Sequence, residues 1–177
     1  MKLLLKILYV FFSIILLSYL ALPNPEFPSP PPDALQSDEP ADSETPLRRA
    51  YFTNLTREEV MNYYKNQLTK SSLQRIPLPI YRLNYPPEEA QSIIRDQTRS
   101  TFLEEIVHPF RESVFVNGFE PTTAKDAIFI GGRDWRQKII IRFVPSTTYI
   151  RLVVGVLTLA LIPVLYLEIK KVLRKNA

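Results

Sequence analysis

Nineteen consecutive residues, Tyr149 to Leu167, carry one charge between them, Arg151. As a helix this run spans roughly 28 Å, close to one hydrocarbon core. Arg151 lies two residues inside one end, where a long side chain can snorkel to the headgroups. Tyr149 and Tyr166 stand near the two ends, at the level where amphipathic rings favour the interface. Lys170, Lys171, Arg174 and Lys175 follow directly. Such a cluster prefers the cytoplasmic side, so the sequence predicts a membrane span with a basic cytoplasmic tail at 168–177. The residues before Tyr149 are then outside.

The N-terminus repeats the pattern. Lys2 and Lys6 precede an apolar run, Ile7 to Leu22, interrupted only by Ser13 and Ser18. A secretory signal has the same order of basic residues, apolar run and small residues. Cleavage after Ala21 would place Tyr19 where a small residue is wanted, and the run is long for a signal. Residues 1–22 are therefore read as an uncleaved anchor. The resulting chain is two-pass, with both termini cytoplasmic and 23–148 outside. The alternative is a cleaved signal and a single-pass protein. The membrane-interface residues expected from these runs are Lys6, Tyr149, Arg151, Tyr166, Lys170 and Lys171.

Two membrane-length runs and a Pro-rich tract use roughly 70 of the 177 residues and leave about 100 for a folded unit, Arg48 to Thr148. There is no Cys, so neither a disulfide nor a thiolate metal site can form, and one His excludes a multi-histidine metal site within one chain. The net charge of +4 divides unevenly. Residues 48–148 hold 15 Lys/Arg against 11 Asp/Glu, whereas 23–47 hold six acidic residues and no basic ones. Much of the remaining basic charge flanks the two apolar runs. The high pI therefore reflects membrane topology in part and does not read as nucleic-acid binding.

Residues 23–47 contain eight prolines, interspersed with Asp, Glu, Ser and Ala. Such a stretch predicts a disordered, polyproline-like spacer. In 48–148, Arg48 to Thr53 reads as a strand. Thr56 and Glu59 fit a capping box, with Leu55 and Val60 as its staple, and a helix runs from about Arg57 to Leu68. Ser71 and Ser72 mark a turn. Ile76 to Tyr85 reads as extended, at a sheet edge, because of Pro77 and Pro79. A second helix is predicted from Pro86 to about Val107, with its apolar residues on opposite faces in its two halves. Val114 to Val116 reads as a strand, Asn117-Gly118 as a turn, and Ala127 to Ile130 and Lys138 to Val144 as two strands joined by a loop over 131–137. The order predicts an α+β domain: strand, helix, strand, helix, then three strands of a mostly antiparallel sheet between two transmembrane helices.

No residue set carries a recognisable chemistry. His108 reads as a helix-end residue, with Glu104 and Glu105 on a helix surface. Arg95, Asp96 and Arg99 read as a solvated face, and Gly131-Gly132 as a hairpin turn without the Lys of a phosphate loop. No catalytic, cofactor-binding or metal residue is assigned, and no cofactor is expected. Asn54-Leu55-Thr56 is a glycosylation sequon in which Thr56 already serves as a cap. Arg133, Trp135 and Arg136 remain as a possible partner contact, Trp135 being either packed as a lid or exposed between the two arginines. The functional expectation is a noncatalytic interaction module. It is held by the lipid bilayer and presents its domain to a protein partner or envelope component, with no nucleic-acid role. The alternative is a single-pass protein whose outside domain is an enzyme acting on an envelope or extracellular substrate.

Overall fold

The computed structural model describes residues 2–70, 77–86 and 100–175. The chain divides into two compact units. One combines Met1–Asn24 with Ser146–Ala177, and the other is Pro25–Pro145.

The first unit is a pair of apolar helices, α1 (Lys2–Ala21) and α3 (Thr148–Lys175). Both are long and apolar enough to cross a membrane. They pack antiparallel. The C-terminal end of α1 meets the N-terminal turn of α3, and Tyr9 meets α3 farther along, at Leu159.

The second unit is α+β, built on a six-stranded sheet. Its strands are β1 (Leu35–Gln36), β2 (Arg48–Thr53), β3 (Tyr81–Tyr85), β4 (Phe102–Val107), β5 (Ser113–Phe119) and β8 (Gln137–Val144). Their order is β1-β2-β8-β5-β4-β3, and every neighbouring pair is antiparallel. The prediction of a mostly antiparallel α+β domain holds, as does β3 at an edge. A separate hairpin joins β6 (Ile128–Ile130) to β7 (Arg133–Trp135).

Helix α2 (Arg57–Lys70) starts at the predicted capping box. The Thr56 amide donates to Glu59 Oε2 at 2.7 Å, and the Glu59 amide donates to Thr56 Oγ1 at 3.3 Å. That reciprocal bonding holds the Glu59 pKa below the usual carboxylate value, through the Thr56 backbone and side chain. Val60, Met61, Tyr64 and Leu68 form its buried stripe. They meet Tyr51, Phe102, Ile106, Val114, Val116, Ile139, Ile141 and Phe143, which alternate along four strands. Each such side chain contributes about 1.5–3 kcal/mol relative to exposure.

Four sequence expectations differ from the structure. The predicted second helix fails over its last turns: Phe102–Val107 is the strand β4. Both faces of that strand are buried, so its alternation is hidden, and Glu104-Glu105 read as helix surface. The rest of that helix, with Arg95, Asp96 and Arg99, and the turn at Ser71-Ser72 lie outside the described residues. Asn117-Gly118 is not a turn but lies within β5, near its C-terminal end. Phe102 is paired with Gly118, and a Cβ there would lie 2.0 Å from the Phe102 ring; the glycine makes room for the aromatic. The loop over 131–137 is also subdivided. Gly131 and Gly132, at φ of 63° and 75°, close the β6–β7 hairpin in the mirror-image turn that suits two-residue loops.

The fourth difference is the proline-rich stretch, which follows a fixed course over the domain instead of forming a disordered spacer. Phe27 and Ala34 pack against the core, β1 pairs with β2, and Tyr63 donates to the Pro30 carbonyl at 2.6 Å. The Gln67 side chain brackets Ser29, accepting from its amide at 2.9 Å and donating to its carbonyl at 3.1 Å. Ser37 and Asp42 are buried and bonded to each other at 2.6 Å, and Lys138 reaches Asp42 at 2.7 Å and Glu39 at 2.6 Å. A proline-rich backbone has little entropy to lose, and few apolar anchors are enough to fix it.

Candidate functional site

Within the helical unit, α3 carries Pro163 in its interior. Proline has no N–H, so the carbonyl four residues earlier, on Leu159, loses its helical donor. The Tyr9 hydroxyl of α1 donates to that carbonyl. Tyr9's own carbonyl accepts from Ser13 Oγ at 2.7 Å. In hydrocarbon a free carbonyl is costly, and a bond from a neighbouring helix is how membrane helices accommodate proline.

The second contact is a close approach. A Cβ on Gly155 would lie 2.7 Å from Leu20 Cδ1 and 3.5 Å from Leu17 Cδ2. Small residues at helix interfaces in lipid act in this way.

The third contact is made by Arg151, whose side chain turns toward the ends of the two helices and is buried among them, the residue being 5 % exposed. It donates to the Leu22 carbonyl at 2.8 Å, to Thr148 Oγ1 at 2.7 Å and to Asn24 Oδ1 at 3.1 Å. Asn24 in turn donates to the Ser146 carbonyl at 2.9 Å. A cation is thus placed on the carbonyl end of α1, where the helix dipole favours it. The partners follow from geometry, because the first turn of α3 and the chain leaving α1 are adjacent in an antiparallel pair.

The remaining expected interface residues are exposed: Lys6, Lys170 and Lys171, with Tyr149 at 75 % and Tyr166 at 63 %. Lys6, Lys170, Lys171, Arg174 and Lys175 gather at one end of the helical pair, and the clasp around Arg151 closes the other.

In the sheet domain the residues singled out at the hairpin separate. Trp135 is buried, 8 % exposed, and donates Nε1–H to the Ile130 carbonyl at 3.0 Å. Arg136 pairs with Glu120 at 2.8 Å, and its amide donates to Asn54 Oδ1 at 2.8 Å. Arg133 is exposed, and so is Phe129, at 65 %. Phe129 pairs across the hairpin with Asp134, on the face opposite Trp135. No local signal in the sequence marks Phe129 as exposed, because it sits inside a strand-like run.

Two buried carboxylates organise charge. Glu104 accepts from Arg57 Nε at 2.5 Å and from Arg82, which also pairs with Glu58 at 2.7 Å; Arg57 reaches Asn84 at 2.8 Å. Burial opposes ionisation of Glu104, but the bonds from Arg82 and Arg57 outweigh it and hold its pKa below the usual value. His108 is not a helix-end residue. It stands in the β4–β5 connection, its Nδ1 2.7 Å from Glu112 Oε1, and Arg111 Nη2 lies 3.0 Å from that same oxygen. Burial again works against the charge on Glu112, and His108 and Arg111 lower its pKa below the usual range. Neither His108 nor Glu112 has a solvent-accessible side chain. A nucleophile or general base must reach substrate, so this cluster ties the turn rather than serving chemistry. Among the described residues, no group of three or more His, Cys, Asp or Glu side chains could hold a metal ion.

The chain was compared with protein-family models, with curated proteins and with solved structures, and none of them matches it.

Proposed function

We propose that the chain is a membrane-anchored interaction module: a helical hairpin embedded in the bilayer, presenting the Pro25–Pro145 domain on the non-cytoplasmic side to a protein or envelope partner. The observation that carries this reading is the charge asymmetry of the helical pair. Lys6, Lys170, Lys171, Arg174 and Lys175 crowd one end, while the single arginine at the other is buried in side-chain and backbone contacts. By the positive-inside rule the crowded end is cytoplasmic, which puts both termini there. The contacts of Tyr9 and Leu20 with α3 support an α1 retained in the mature protein, because cleavage after Ala21 would leave the Leu159 carbonyl without the Tyr9 hydroxyl and Gly155 without Leu20 against it. Among the described residues, no accessible constellation of catalytic groups argues for an enzyme.

Single cysteines test the topology cleanly in a chain with none of its own. In intact cells, an impermeant thiol reagent is expected to label Ser43→Cys and to leave Asn176→Cys unlabelled, and the mature N-terminus is expected to be that of residues 1–22. The opposite labelling pattern refutes the orientation. A chain beginning near Leu22 refutes the retained anchor.

A further inference from the structure

The membrane helix outruns the membrane. Helix α3 has 28 residues, about 42 Å of helix against a hydrocarbon core of about 30 Å. The run predicted to cross ends at Leu167, and the helix continues through Lys175. Those last eight residues extend about 12 Å, past a headgroup layer of about 5–7 Å.

This extension is two-faced. At about 100° per residue, Lys170, Arg174, Lys171 and Lys175 fall within an arc of about 140°. Ile169, Val172 and Leu173 occupy an opposing arc of about 100°. All seven side chains are exposed. The sole acid, Glu168, pairs with Lys171 at 2.6 Å, which leaves a surplus of positive charge on the arc. Lys6 lies toward the same end of the pair, on α1. A rigid helix therefore holds several cations at fixed height, beside an apolar strip that favours the acyl boundary.

We propose that this basic arc is a binding site for the phosphate groups of anionic phospholipids, selecting acidic over zwitterionic lipids in the leaflet it faces. It deepens the reading given above, which makes that leaflet the cytoplasmic one. Ammonium and guanidinium groups within side-chain reach of the headgroup plane attract phosphodiester charge. A zwitterionic headgroup offers the same phosphate with its charge already balanced, so selection follows net charge. The apolar strip sets the helix at the depth where this contact is made. The chemistry is that of a lipid headgroup in a bilayer, because only there are phosphate and acyl chain presented together.

The test uses the full chain in bilayer nanodiscs, with spin-labelled phosphatidylglycerol or phosphatidylcholine as the probe lipid. The motionally restricted fraction of each gives their relative association constant. Phosphatidylglycerol is expected to be favoured by about threefold or more at low salt, with the preference collapsing toward one at 0.5 M salt. The Lys170→Gln, Lys171→Gln, Arg174→Gln, Lys175→Gln variant is expected to show no preference while keeping the helix content of the wild type. An equal preference in wild type and variant overturns the proposal, as does a preference that salt does not weaken. So does loss of the preference in 10 mM inorganic phosphate at constant ionic strength, which would identify a site for free phosphate. Nanodiscs expose both leaflets, so this result stands apart from the cysteine labelling. A labelled Asn176→Cys in cells would refute the cytoplasmic placement and leave the lipid measurement to decide the site alone.

Discussion

Tyr9 and Leu159, 150 positions apart, are joined by a hydrogen bond from the tyrosine hydroxyl to the carbonyl that Pro163 leaves without a helical donor. Each helix thereby corrects a weakness of the other: α3 gains the missing donor, and the half-buried hydroxyl of α1 gains an acceptor. A double-mutant cycle tests the coupling. Tyr9→Phe is expected to destabilise the helical pair by about 0.6 kcal/mol and by no more than about 1.7, the mean and the maximum for interhelical bonds in membranes. In a Pro163→Ala background, where residue 163 again supplies an N–H to Leu159, the same change is expected to cost much less. Equal costs in both backgrounds, measured by reversible unfolding in detergent, would break the link between the proline and the tyrosine.

The proline-rich stretch is the clearest reversal of expectation. A spacer would tolerate loss of ten residues, since loop length enters closure entropy only logarithmically. In the structure, deletion of 31–40 removes β1, Ser37 and Glu39, a partner of Lys138. The deletion is therefore expected to lower the melting temperature of the domain by several degrees. Replacement of the same ten residues by a Gly/Ser segment is expected to do the same, because the length is restored and the contacts are not. Wild-type melting in either variant would return the stretch to the role of a spacer.

Acid should weaken the domain through Glu104 and Glu112. Both have pKa values lowered on folding, so the folded state binds their protons later than the unfolded chain does. The stabilisation is fully present above the unfolded carboxylate value of about 4.3 and is lost as pH falls through the lower folded values. Denaturant titrations should show stability from these groups flat between pH 7 and about 5.5 and declining below about 4.3. Glu104→Gln, which leaves Arg57 and Arg82 without their buried counter-charge, is expected to cost about 1.5–3 kcal/mol at neutral pH and to make the acid decline shallower. An unchanged acid limb in that variant would show that the charge on Glu104 is not what acid removes.

At the hairpin, stability and recognition should separate. Trp135→Ala is expected to lower stability by about 3–5 kcal/mol, since it empties a buried site. Phe129→Ala removes an exposed ring and is expected to stay within about 0.5 kcal/mol of wild type. If a partner docks on this hairpin, its affinity should fall in Phe129→Ala or Arg133→Ala without loss of melting temperature. A destabilised Phe129→Ala together with an intact Trp135→Ala would invert the assignment.

Elements whose signals are local are legible in the order of residues alone. Nineteen nearly uncharged residues with tyrosines at the ends and lysines beyond can only be satisfied as an apolar helix. The capping box at Thr56 placed the start of α2, because its bonds span four residues. Arg48–Thr53 was legible as β2, and Lys138–Val144 covers all but the first residue of β8. Tertiary structure decided what depends on residues far apart. Glu104 could not be read as buried until Arg57 and Arg82 were brought over it. Gly118 could not be read as strand until Phe102 covered it, and the prolines of residues 23–47 could not be read as ordered until Gln67 and Tyr63 were seen to hold them. Arg151 shows the difference most sharply. Its depth in the run is legible from its position, but its partner is the carbonyl end of another helix, and only packing of the two helices brings that end within reach.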